Sequence, residues 1–193
     1  MSINNLSVLQ FVEKHTARFD ESHDANHALA VYSNAIEIAN KEYPEYDRQI
    51  ILYASLLHDV CDHKYVNSIK KHELNDYIRS KLNAEQAQIV IDIIENISYS
   101  KEIRGQRKNV HQPYLDIISD ADRLEAIGEV GITRCIAYTK AIHGRVPSDV
   151  VTHCHEKLLR LYKDGFIRTK TAREMAEPLH KVIEEYVSRN SFF

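Results

Sequence analysis

The sequence has no tryptophan, and its 193 residues include only five glycines, four prolines and three cysteines. Strong breakers are therefore sparse, and no segment shows strand alternation followed by a hairpin turn, which argues against an all-β architecture. The cysteines, Cys61, Cys135 and Cys154, are odd in number and widely spaced, with no C-x-x-C pair. They read as free thiols of a reducing compartment rather than a disulfide framework. No apolar run approaches the length needed to span a bilayer. The opening residues, Met1-Ser2-Ile3-Asn4-Asn5, have neither a basic nor an apolar leader region, so a cytoplasmic protein is expected. The net charge is −3 and no block of like charge is long. That speaks against sequence-specific reading of nucleic acid as the main role, without excluding a nucleic acid as substrate.

What is present is ordinary for a globular chain: 44% apolar and 27% charged residues. The length suits one domain over 1–193, with a core over about 20–165 and a C-terminal helix over about 171–188 packed on it. Apolar spacing is helical almost throughout. Leu6, Leu9 and Val12 start a short helix, and Ala28, Val31, Ala35 and Ile38 line a second, with His27 on the side of Val31. A third helix runs from about Tyr46 to His58, and Leu74, Tyr77, Ile78 and Leu82 mark a fourth. Asn83 with Gln86 predicts a capping box before the stripe Ala87, Val90, Ile91, Ile94. Pro113 can open the next helix, where Tyr114, Ile117, Ile118 and Ala121 face inward and Asp122 shares their stripe. Gly128 marks a break. Ser148 is a cap candidate for a helix ending near Tyr162, and Thr171-Ala172-Arg173-Glu174 reads as a capping box opening a last helix through Val187. The polar stretch from Lys101 to Gln112 reads as a mobile flap.

Three places carry metal-binding side chains. The doublet His58-Asp59 ends the apolar run Ile50-Ile51-Leu52-Tyr53-Ala54-Ser55-Leu56-Leu57. His27 stands in Asp24-Ala25-Asn26-His27, and Asp122 in Ser119-Asp120-Ala121-Asp122-Arg123-Leu124. Imidazole suits borderline metals and carboxylates tolerate harder ions, so two of each would make a mixed-donor divalent site with positions left for water and substrate. Such an ion eases deprotonation of water and polarises the atom under attack. Singly, each residue has a plainer role: a hydrogen-bonded histidine, an aspartate ending a helix, an aspartate paired with arginine. Their recurrence on apolar stripes favours a metal, because a buried charge without a partner is costly.

The order His27, His58-Asp59, Asp122 resembles the HD-domain metal-dependent phosphohydrolase superfamily. The stretches Leu56-Leu57-His58-Asp59-Val60-Cys61-Asp62-His63-Lys64-Tyr65 and Asp120-Ala121-Asp122-Arg123-Leu124-Glu125-Ala126-Ile127-Gly128 are similar to its small YpgQ/YedJ-type hydrolases. So are Gly131-Ile132-Thr133-Arg134, His155-Glu156-Lys157-Leu158-Leu159 and Arg168-Thr169. The resemblance implies an all-α HD-type bundle with the metal site in its helical core, formed by His27, His58, Asp59 and Asp122. It further implies one divalent ion, manganese first, with magnesium, cobalt, nickel, iron or zinc as alternatives. One departure stands out: the family often reads His-x-x-Arg-Val after the first ligand, whereas this chain reads His27-Ala28-Leu29-Ala30-Val31. Ala30 cannot replace an arginine's charge.

Relatives also suggest that Asp62 positions or activates the attacking water, against a plain turn-forming role. Phosphate charge calls for cations. Lys64 is the first choice, with Lys101 and Lys157 beside it; Arg104 and Arg107 read better as solvated surface cations. Arg123 contacts substrate or orients the metal carboxylates. Ser98 and Tyr99 end a helix near the expected cleft, where Ser98 could meet phosphate or ribose. His63, His72 and His111 read as surface residues rather than ligands to a second metal. The expected activity is hydrolysis of a small nucleotide, tilted by the resemblance towards a nucleoside triphosphate cleaved to monophosphate and pyrophosphate. The alternatives are a phosphodiesterase, a 5′-nucleotidase or a non-catalytic nucleotide sensor. A homodimer is a family-level expectation.

Overall fold

The computed structural model describes residues 3–17, 19, 24–61 and 68–191, and every regular element among them is helical. The chain packs as two units, residues 1–119 and 120–193.

In the first unit, α1 (Ile3–Thr16) and α2 (Ala25–Glu42) precede α3 (Arg48–Leu57), which is followed by α4 (Lys71–Lys81), α5 (Ala84–Asn96) and α6 (Tyr99–Ile103). Every residue of α3 from Ile50 to Leu57 is buried, which marks it as the central helix. α1, α2 and α5 pack on it, and α4 packs on α5. The expected stripe of α2, with Ala28, Val31, Ala35 and Ile38, is buried. Asp24 caps that helix by accepting from the His27 backbone N–H at 2.9 Å. The Asn83–Gln86 capping box forms as its sequence signature predicts: Asn83 Oδ1 accepts from the Gln86 N–H at 2.9 Å, and Gln86 Oε1 from the Asn83 N–H at 3.3 Å.

The stretch expected to be a flap is fastened instead. The Arg107 side chain is 4% exposed and donates to Glu102 Oε2 at 2.8 Å and Asp116 Oδ1 at 2.7 Å. The Lys108 N–H donates to Asn96 Oδ1 at 2.9 Å, and His111 Nε2 lies 2.8 Å from Asp92 Oδ2. Polar composition mimics a solvated loop here, yet Arg107, the Lys108 backbone and His111 are tied to polar partners. Arg107 is thus a buried ion-pair partner and not a surface cation.

The division between units falls within α7 (Tyr114–Glu125). The second unit continues with α8 (Gly128–Ala141) and α9 (Ser148–His153), a π-helical turn (Cys154–Leu158), α10 (Leu159–Lys163) and α11 (Lys170–Asn190). α11 packs on α8, α9 and α10. Gly128 adopts φ +73°, and a Cβ on Gly131 would lie 2.1 Å from the Ala126 carbonyl oxygen. The tight passage from α7 into α8 therefore requires glycine at both positions. The helix expected from Ser148 to near Tyr162 forms, interrupted by the π turn. The Thr171 capping box does not form: Thr171 is buried inside α11, which Thr169 caps by position. Asp120 of α7 supplies the acceptor there, taking the Thr169 N–H at 2.6 Å and the Arg168 N–H at 2.9 Å. Among the described residues no helix is long and apolar enough to cross a membrane.

Candidate metal centre

His27 occupies the third position of α2, held there by the Asp24 cap. His58 follows the last residue of α3, and Asp59 sits in the turn beyond it. Packing of α2 on α3 brings the three together, with His27 4% and His58 7% exposed. One donor atom from each lies within 4.8 Å of the others. Asp59 Oδ2 is 3.2 Å from His58 Nε2 and 3.6 Å from His27 Nε2, and the two rings meet edge to face with centroids 5.3 Å apart.

The tautomer of His58 follows from its neighbour. Its Nδ1 lies 2.8 Å from the Ser55 carbonyl oxygen, which can only accept. Nδ1 therefore carries a hydrogen, and in the neutral ring Nε2 keeps its lone pair on the side that faces Asp59. That is the arrangement by which metal-binding imidazoles are oriented, and the donor set of two nitrogens and a carboxylate oxygen fits a borderline divalent ion. Separations of 3.2 and 3.6 Å match neighbouring ligands of an ion whose bonds are about 2.1 Å long.

Asp122, the fourth expected ligand, is half-buried in the last turn of α7, in the second unit. Its neighbour Arg123 is 3% exposed, donates through Nη1 to the Phe166 carbonyl and stands 6.0 Å from the Phe166 ring centroid. Asp120 is fully buried. Desolvation raises its carboxyl pKa to about 6, opposed by hydrogen bonds from the Thr169 backbone and hydroxyl and from the Arg168 backbone, and by the Arg123 charge. Sequence reasoning gave Asp120 no role. Its only signal was an acidic residue beside apolar neighbours, two places before an expected ligand.

Among the other expected residues, Ser98 caps α6 by position and its hydroxyl lies 2.9 Å from that of Ser100. Lys101 donates to the Glu95 carbonyl at 2.6 Å. Lys157 is half-buried within the π turn. Asp62, His63 and Lys64 lie outside the described residues. His72 is exposed, as a surface residue would be, whereas His111 is half-buried and lies 2.8 Å from Asp92.

The HD domain model matches residues 24–127. The Bacillus subtilis protein YpgQ is 36% identical over 180 residues, covering 87% of this chain and 83% of YpgQ. Protein L803 of Acanthamoeba polyphaga mimivirus is 28% identical over 188 residues, covering 90% and 69%. A crystal structure of YpgQ in complex with ADP superposes with a TM-score of 0.78 at 28% identity, covering 96% of this chain and 94% of that one. An HD-superfamily hydrolase from Bacillus thuringiensis gives 0.73 at 27% identity, covering 96% and 93%. With two buried histidines and an aspartate converging where α2 meets α3, the chain belongs to the HD domain family of metal-dependent phosphohydrolases.

Proposed function

We propose that this hydrolase acts on nucleoside triphosphates, breaking the bond between the α- and β-phosphates to release a nucleoside monophosphate and pyrophosphate. The observation that carries hydrolysis is the convergence of His27, His58 and Asp59. The choice of a nucleotide is supported by the ADP held by YpgQ, a relative that shares the fold across nearly the whole chain.

In this reading Asp122 is the fourth ligand and manganese the resident ion. A bound divalent ion supplies an activated water and neutralises phosphoryl charge. The chain's own residues do the rest. The Ser55 carbonyl holds the His58 ring so that Nε2 stays directed at the centre. Asp24 holds the first turn of α2 and with it the His27 backbone. Asp62 orients the attacking water, and Lys64 meets the charge that develops on phosphate. Lys101 spends one of its three donors on the Glu95 carbonyl, leaving donors for a phosphate oxygen. Lys157 and Ser98 complete the substrate contacts. Burial of Arg123 and its bond to Phe166 favour a bracing role for it over direct contact with substrate. The cysteines Cys61, Cys135 and Cys154 form no disulfide, which supports a reducing, cytoplasmic setting.

The test is a panel of nucleoside mono-, di- and triphosphates with manganese, magnesium, cobalt and nickel, products separated by chromatography. Monophosphate and pyrophosphate from a triphosphate are expected, and Asp59→Ala should abolish them. Orthophosphate from a monophosphate would make the enzyme a 5′-nucleotidase instead. Saturable nucleotide binding without turnover under every metal would make it a sensor.

A further inference from the structure

The large apolar side chains that meet solvent are not scattered over this chain. Among the described residues they are Ile103, Val130, Tyr138, Ile142 and Val146, and all but Ile103 fall on α8 or just beyond its end. Val130, Tyr138 and Ile142 are spaced by eight and four residues. At about 100° per residue that keeps them within about 120° of the helix circumference. Another side of α8 faces the core: Ile132, Cys135 and Thr139 are buried, and the helix packs on α9 and α11. A single exposed apolar residue needs no explanation, but a stripe along one helix marks a contact surface. Tyr138, 65% exposed, stands between the other two.

The charges on α8 say what would fit there. Glu129 is exposed in its first turn and Lys140 in its last, and neither side chain makes an ion pair among the described residues. Eleven residues apart in sequence, they lie within about 20° of one another round the helix and about 16 Å apart along it. The helix dipole accounts for each charge at its own end, but not for the stripe beside them. An acid at the start, a base at the end and an apolar stripe alongside make a pattern that complements itself when reversed. Two copies of α8 packed antiparallel about a twofold axis set each Glu129 against the partner's Lys140, so both ends are satisfied in one register. Arg134, between Val130 and Tyr138, does not bring like charges to the axis, because it is drawn back to Glu125. It donates to the Glu125 carbonyl at 3.1 Å, with the carboxylate 4.0 Å away. A surface that is its own complement favours a second copy over an unrelated protein.

We propose that α8 is the core of a homodimer interface. Val130, Tyr138 and Ile142 of each copy close against the antiparallel α8 of the other, with Tyr138 as the aromatic anchor. Glu129 and Lys140 form the polar rim, paired across the twofold axis at both ends. Val146, 41% exposed just past the helix, extends the apolar area.

The experiment is sedimentation equilibrium of the full chain over a range of concentrations, alongside thermal unfolding to show that each variant folds. The wild type is expected to dimerise reversibly. Tyr138→Lys and Ile142→Lys should each weaken the dimer at least about 30-fold, as loss of a central anchor does. Glu129→Lys and Lys140→Glu each set like charges together at both ends, and each should weaken it about 10-fold. The double variant Glu129→Lys/Lys140→Glu restores both pairs with reversed sign. It should recover wild-type association, even though each charge then opposes the helix dipole and lowers the melting temperature slightly. Ile103→Lys, on α6, should leave association unchanged. A wild type that stays monomeric at every concentration would overturn the proposal and give the stripe to a different partner. A dimer indifferent to Tyr138→Lys and Ile142→Lys would place the contact elsewhere and overturn it too. Single charge variants without effect, or a double variant that fails to recover, would overturn the antiparallel register.

Discussion

His58 shows how much of a residue's role lies in the atoms beside it. Its place at the end of an apolar helix was legible in the sequence, as were His27 and Asp59, because imidazoles and carboxylates on apolar stripes need a partner or a metal. Which nitrogen faces the centre was not legible, since it depends on a backbone carbonyl three residues earlier that every sequence provides. The Ser55 side chain is a separate matter: its hydroxyl is buried with no hydrogen-bond partner among the described residues. Ser55→Ala is therefore expected to be neutral or stabilising, and to leave Mn²⁺ affinity unchanged, because the orienting group is the carbonyl and not the hydroxyl. Chemical denaturation and metal titration on that variant would check both halves. Asp120 escaped notice for a similar reason. Its partners lie 48 and 49 residues further along the chain, and no local pattern announces them.

At the level of elements, caps and stripes could be read where the partners are local. The Asn83–Gln86 box and the buried stripe of α2 involve neighbours within a turn or two, so composition and spacing specify them. The segment 101–112 misled although its partners are near in sequence, because no short spacing rule pairs an arginine with carboxylates five residues before and nine after it. Arg104-Gly105-Gln106-Arg107-Lys108-Asn109 reads as solvated, yet Arg107 closes the segment against Glu102 and Asp116. Arg107→Met should leave two carboxylates without their shared cation and destabilise the fold by about 3–5 kcal/mol, the usual result of removing one member of a buried ion pair. Urea unfolding would read that loss; a cost below about 1 kcal/mol would place the pair among weak surface bridges. The start of α11 was misjudged for a related reason. Thr171 matches the capping signature, but the acceptor comes from α7, which no signature within α11 can show.

Two bulk properties of the whole molecule follow from its site and its core. Metal bound only by the folded state raises stability with concentration, by about 2.7 kcal/mol at one hundred times the dissociation constant. Mn²⁺ should therefore raise the melting temperature of the wild type and have no effect on Asp59→Ala; equal shifts in both proteins would place the ion elsewhere. The second property is alkaline sensitivity. Burial raises the pKa of Tyr53, Tyr77, Tyr114 and Tyr186. Burial, with the neighbouring Cys135 thiol, lifts Cys154 from 9.0 to about 11. Each group is held neutral in the fold more firmly than in the open chain. The stability they contribute is intact below their ordinary values and is lost as pH rises through the folded ones. For Cys154 that window runs from 9.0 to about 11. Melting temperature should fall across it, and Cys154→Ala should make the fall shallower.

The sequence by itself determined an all-helical chain, the helices bearing His27 and His58-Asp59, and the metal chemistry those residues allow. Apolar spacing and the cost of burying charge act locally, and they are written in residue order. Only the tertiary structure decided which nitrogen of His58 faces Asp59, that Arg107 is a buried tie and that Asp120 holds the start of α11. The first depends on a bond to a backbone carbonyl, the second on carboxylates five and nine residues away, and the third on residues 48 and 49 positions along the chain. Such bonds exist only once the helices have packed, because the directions of donor and acceptor are set by packing and not by residue type.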